Sequence, residues 1–146
     1  MTHAYDRRPA ALLGAVSLAL ADELRDAGRA VAPHGPSGPA ALVALAGDLG
    51  GGTIEGLRKA LGLTHSGTVR LVDRLAAAGL VERRIGPDAR SLALHLTPPG
   101  RRAARQVATA RDAALERAMT GLTPLQRAQL GALLERVAAE LSLSLD

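Results

Sequence analysis

Apolar residues recur at three- and four-residue spacing early in the chain: Leu13, Val16, Leu20, Leu24, Ala27 and Val31, with Asp22, Glu23, Arg25, Asp26 and Arg29 elsewhere on the wheel. That spacing predicts one amphipathic helix from about Pro9 to Val31. The stretch PHGPSGP (33–39) breaks it with three prolines and two glycines. AALVALAGDL (40–49) reads as a short apolar helix ended by GGG at 50–52. Thr53 then caps IEGLRKALG, in which Ile54, Leu57 and Leu61 form one face and Gly62 is the stop. Thr64 caps HSGTVRLVDRLAAAG, with an expected core face of Val69, Val72, Leu75 and Ala76 and a stop at Gly79. The period then changes from helical to two. LVERRI (80–85) and SLALHLT (91–97) read as paired half-buried strands, the second with Leu92, Leu94 and Leu96 on one side. Gly86 and Pro87 supply the turn between them. Thr97-Pro98 opens a long helix to about Thr120. TPLQ (123–126) is a capping box before a last helix that carries Leu130, Leu133, Leu134, Val137 and Leu141.

This order, without internal repeats, predicts a mainly α chain with a small β-hairpin wing. It is a winged helix-turn-helix flanked by N- and C-terminal helices. The expected division is an N-terminal helix over 1–36, a winged helix-turn-helix over 37–99 and C-terminal helices over 100–146. The N-terminus contains a decoy. Arg7 and Arg8 precede an apolar run, and ALA at 19–21 imitates a cleavage site. The amphipathic pattern, however, continues unbroken to Val31, so the stretch reads as a helix and not as an export signal. No apolar run is long enough to span a membrane, and the expected location is cytoplasmic.

Composition narrows the chemistry. Phe and Trp are absent, Tyr5 is the single tyrosine, and hydrophobic residues make up 47% of the chain, so the core must be built from Leu, Val and Ala. With no cysteine there is no thiol switch, disulfide or thiolate zinc site. His3, His34, His65 and His95 show no metal-ligand spacing, and no metal or cofactor is expected. The net charge of +4 is unevenly placed: residues 56–111 carry eleven basic and three acidic side chains, while the remainder is acidic overall. A preference for Arg codons accounts for many arginines but not for their concentration in the middle, which points to a polyanionic partner.

A helix-turn-helix presents its second helix to the major groove of duplex DNA, N-terminal residues first. On helix 65–78 the candidate contacts are Thr64, His65, Ser66, Gly67, Thr68, Arg70 and Arg74. Small residues let the backbone approach, Arg70 can read a guanine edge bidentately, and Arg74 meets phosphate or pairs with Asp73. Arg83 and Arg84 on the first strand suit phosphates. At the tip, Arg90 suits the narrow minor groove, with Asp88 placed to accept from its guanidinium and fix its direction. The bland alternative for Asp88 and Arg90 is an exposed ion pair on a plain turn, worth under about 1 kcal/mol.

The stretch LGLTHSGTVRLVDRLAAAGLVERR, the Asp-x-Arg at 88–90 and LHLTPPGR closely resemble the winged-helix core of the MarR family of bacterial transcriptional regulators. The likeness covers residues 53–102, with RLVDRL, GLVERR and LT followed by PG as its most specific parts. It implies that Arg90 is the wing arginine and Asp88 its partner. Only IGP separates Arg84 from Asp88, one residue fewer than many relatives have, which shortens the reach of the tip. The resemblance also implies a homodimer of interleaved terminal helices that reads a pseudo-palindromic operator, usually as a repressor, and a small, often aromatic anionic effector that releases DNA. The stripe Val107, Ala110, Ala114, Leu115, Ala118 and Met119 independently favours a partner subunit, because these helices carry more apolar face than a lone winged helix covers. For an effector the chain offers no aromatic platform, and no ligand residue is assigned. His34 reads as a solvated loop histidine.

Two other classes compete. A winged helix can serve as a protein-interaction or architectural module without ligand response. An enzyme would need a paired nucleophile and base, a phosphate loop after a strand, or a metal set. None is present, and GDLGGG (47–52) follows a helix, lacks the lysine of a phosphate loop and reads as a linker.

Overall fold

A computed structural model describes residues 7–86, 88–141 and 143; His3 and the expected turn residue Pro87 lie outside that range. The elements are α1 (Arg8–Val31), α2 (Gly38–Ala46), α3 (Ile54–Leu61), α4 (His65–Ala77), β1 (Val81–Ile85), β2 (Leu92–Leu96), α5 (Pro98–Ala118) and α6 (Pro124–Glu140). The fold is that of a winged helix-turn-helix with flanking helices. Residues up to Ala114 form one compact unit and those from Leu115 onward a second, with the boundary inside α5.

Local chemistry sets most boundaries. The Thr53 hydroxyl accepts the Gly56 N–H at 3.1 Å and starts α3. Gly62 ends it in the left-handed region, at φ 63°, where a side chain would be strained. Two residues on, Thr64 starts α4 by accepting the Gly67 N–H. A cap, a left-handed glycine and a second cap therefore make the tight turn. α2 differs from its expected span: it begins at Gly38, because Pro39 fits a first helical turn, and it stops at Ala46 before Gly47.

The core of the first unit is aliphatic, as the composition requires. Leu42, Leu57, Leu71, Val72, Leu75, Leu94 and Val107 are fully buried. The buried face of α4 is rotated from the expected one. It consists of Thr68, Leu71, Val72 and Leu75, while Val69 and Ala76 are only half-buried. Thr68 tolerates burial because its hydroxyl donates to the Thr64 carbonyl at 2.8 Å, leaving its methyl to pack.

β1 and β2 pair antiparallel, with Val81 opposite Leu96, Arg83 opposite Leu94 and Ile85 opposite Leu92. Of the three leucines expected on one buried side, Leu94 and Leu96 are inside and Leu92 is exposed. The glycines at 50–52 are more than a linker. Gly51 N–H donates to the Leu94 carbonyl at 2.9 Å, and Leu94 N–H to the Gly52 carbonyl at 2.8 Å, which extends the hairpin by one pair of bonds.

α5 is fastened to the end of α4. Thr97 donates its hydroxyl to the Gly79 carbonyl and its N–H to the Leu80 carbonyl, and accepts from Gly100 N–H. A Cβ at Gly100 would stand 1.9 Å from the Leu80 carbonyl oxygen, so only glycine fits. Val107, expected in a partner-facing stripe, is instead wholly buried in this core together with Ala104. In the second unit, Thr123 and Gln126 form the expected capping box.

Candidate nucleic-acid interface

The first turn of α4 is open to solvent at His65 and Ser66, with Gly67 half-buried between them and the core. The helix dipole adds partial positive charge at this end. Arg70 follows one turn later, exposed and with no side-chain partner among the described residues. Thr64 spends its hydroxyl on the cap. Thr68 faces the core with its hydroxyl already bonded, so its inclusion among the contacts is corrected: a buried side chain cannot reach a groove. Val69, released from the core, is half-exposed beside Arg70.

Of the two roles expected for Arg74, phosphate contact or a pair with Asp73, the pair is not formed. Asp73 accepts instead from Arg83 of β1, a bond between the recognition helix and the wing. Arg83 is thus committed within the chain rather than standing free for a phosphate; its side chain is only 29% exposed. Arg74 lies against the α1–α2 loop, where a Cβ on Gly35 would come within 2.8 Å of its guanidinium. Arg84 pairs with Glu82 along its own strand, both well exposed.

At the wing tip, Gly86 N–H donates to the Ser91 carbonyl at 2.8 Å and Ala89 N–H to the Gly86 carbonyl at 3.0 Å. Ala89 occupies the left-handed region at φ 56°. What holds it there is Asp88, whose Oδ1 accepts from the Ser91 hydroxyl at 2.9 Å and from the N–H groups of Ser91 and Arg90 at 3.2 Å. These bonds, the Ser91 hydroxyl first, hold the Asp88 carboxyl below the ordinary carboxylate range. The expected contact of Asp88 with the Arg90 guanidinium is therefore replaced by contacts with the backbone. A carboxylate two residues before an N–H closes an Asx turn more readily than it reaches a long side chain. Arg90 keeps its guanidinium exposed, without an ion-pair partner among the described residues.

A cavity of about 350 Å³ was not foreseen from the sequence. It lies between the end of α2, Gly50, β2 and the start of α5. Leu45, Ala46 and Leu96 give it apolar walls, Arg101 and Arg105 cationic ones, and His95 a polar ring. Arg101 is anchored by donating to the Leu96 carbonyl at 3.0 Å. The only hint in the sequence was a histidine at the polar phase of β2 followed, across LTPPG, by arginines one helical turn apart. Among the described residues no group of three His, Asp or Glu side chains is placed to hold a metal, and no described helix is long and apolar enough to cross a membrane.

Residues 39–91 match the family model described as MarR family. No curated protein matches the chain by sequence. Among solved structures, a MarR family protein from Bacillus stearothermophilus is similar at 25% identity and TM-score 0.75, over 95% of this chain and 99% of that one. RV1404 from Mycobacterium tuberculosis is 26% identical with TM-score 0.74, over 99% of this chain and 98% of that one. A MarR family transcriptional regulator from Silicibacter pomeroyi is 28% identical with TM-score 0.66, over 91% of this chain and 89% of that one.

Proposed function

We infer, from a winged helix whose residues 39–91 match the MarR family model, that this chain is a transcriptional regulator of that family and binds double-stranded DNA. The observation that carries the reading is a pair of arginines, unpartnered among the described residues, on two joined elements. Arg70 lies on α4, Arg90 lies at the tip of the wing, and the Asp73–Arg83 ion pair links the two elements. In this reading α4 enters the major groove. His65, Ser66 and Gly67 lie close to the floor, Arg70 reads a guanine, and Val69 offers its methyls to thymine. Arg90 enters the adjacent minor groove on a tip that Asp88 has already folded, which reduces the ordering cost of insertion. Arg84 exchanges Glu82 for a phosphate at little cost, because an exposed pair is weak. Arg74 meets phosphate from the edge beside Gly35, and Arg83 acts as the tether that sets the angle of the wing.

The active form is a homodimer. The exposed leucines and valine on the N-terminal half of α1 (Leu12, Leu13, Val16, Leu18) and the exposed Leu133 and Leu134 of α6 are what the partner would cover. Two-fold symmetry then calls for a pseudo-palindromic operator with half-sites about one helical turn apart. Occupying both grooves over that length excludes polymerase, so repression is the expected mode. The effector class that the cavity suits is a small anion: Arg101 and Arg105 supply cations and His95 a polar ring, beside aliphatic walls and without an aromatic platform. The chain acts as a binder rather than as an enzyme, in the cytoplasm.

Enrichment of duplexes from a random-sequence pool by the purified chain tests this. Convergence on an inverted repeat is the expected result. Recovery of unrelated sequences would leave only the architectural reading, and no recovery at low salt would leave the protein-interaction module.

A further inference from the structure

The wing exposes an apolar pair that its own fold does not use. Ile85 and Leu92 face each other across the last register position of the hairpin, 75% and 48% exposed. Cross-strand partners have Cβ atoms about 5 Å apart, so the two form one contiguous apolar spot. They share a face with Val81, Arg83, Leu94 and Leu96, since side chains alternate along a strand. That face is buried at Val81, Leu94 and Leu96 and bound to Asp73 of α4 at Arg83. Beyond Arg83 it emerges into solvent on the recognition-helix side.

We propose that the Ile85–Leu92 pair packs against the deoxyribose wall at the lip of the minor groove when the wing is seated. The proposal rests on the DNA-binding reading above. Two observations select DNA as the occupant. The spot is continuous with the interface, lying between the Arg83 tether and the Arg90 tip. It also lies next to the tip: Leu92 is the first residue of β2, two residues after Arg90, directly behind the turn that Asp88 folds. With Arg90 at the floor, Leu92 and Ile85 reach the rim, where sugar C–H groups form the apolar part of the wall. Arg84, on the opposite face of β1, is then free to take the flanking phosphate.

An apolar contact releases no counterions, and this separates it from every arginine contact. The test is the double variant I85T/L92T, which removes the apolar bulk at both positions while placing there a residue that favours strands. It is compared with wild type by fluorescence anisotropy on an A·T-rich duplex of roughly 30 base pairs, over a salt series. The expected result is an affinity about tenfold weaker at every salt concentration, with an unchanged slope of log K against log salt. Thermal melting and sedimentation are run on the same samples, and both are expected to match wild type because the two side chains are exposed. Unchanged affinity would overturn the proposal. So would a shift in oligomeric state, which would assign the pair to a subunit contact. If the wild-type chain itself binds no duplex, the reading beneath falls and takes this inference with it.

Discussion

Arg70 and Arg90 are both unpartnered among the described residues, yet their places on α4 and at the wing tip suit them to different work. Arg70→Ala should cost about 1–3 kcal/mol on the enriched operator and little on shuffled DNA, because a bidentate guanine contact is lost only where the guanine stands. Equal losses on both duplexes would remove its base-reading role. Arg90→Ala should weaken binding across sequences and lower the salt slope by about one unit. Asp88 spends its carboxylate on the turn, at the Ser91 hydroxyl and the N–H groups of Ser91 and Arg90, rather than on the guanidinium. Its folded carboxyl titrates below its unfolded value, so its stabilisation of the tip is complete above the ordinary carboxylate range and is lost as pH falls through the lowered value. Titration by NMR should therefore show the Arg90 and Ser91 amide resonances constant from neutral pH to about pH 4 and moving together only below it. Movement near neutral pH would contradict this.

The helix-turn-helix and the capping box were legible because their signals are local. Thr53, Gly62, Thr64, Gly79, Thr123 and Gln126 set caps and stops through bonds to residues at most a turn away. What escaped the sequence was decided at a distance. Thr68 looked like a polar surface residue, and its burial depends on a bond to a backbone carbonyl that a residue count does not reveal. Asp73 chose Arg83, ten residues on, over its neighbour Arg74, because the hairpin folds back along α4. Leu92 continued a period-two pattern past the point where anything covers it. Two predictions belong to these elements. Asp73→Ala should release the wing from α4, speeding hydrogen exchange of the β1 and β2 amides and weakening operator binding. The melting temperature should fall little, since an exposed pair contributes under about 1 kcal/mol. Gly100→Ala should destabilise the fold by several kcal/mol, because its methyl group must displace the Leu80 carbonyl. A melting temperature within a degree or two of wild type would mean that α5 can shift there.

For the whole molecule, the exposed Leu12, Leu13, Val16 and Leu18 of α1 and, in the other unit, Leu133 and Leu134 of α6 are the apolar surfaces that the proposed dimer would cover. Leu13→Glu with Val16→Glu should turn a dimer into a monomer by sedimentation, and with it lose the inverted repeat as a preferred site. Joint reading of duplex DNA by α4 and the wing is tested by anisotropy of the wild-type chain on its enriched duplex beside a shuffled one over a salt series. Tight, salt-sensitive binding with at least about a thousandfold preference for the enriched duplex is the predicted result. Equal affinity for both duplexes, or binding indifferent to salt, would contradict it.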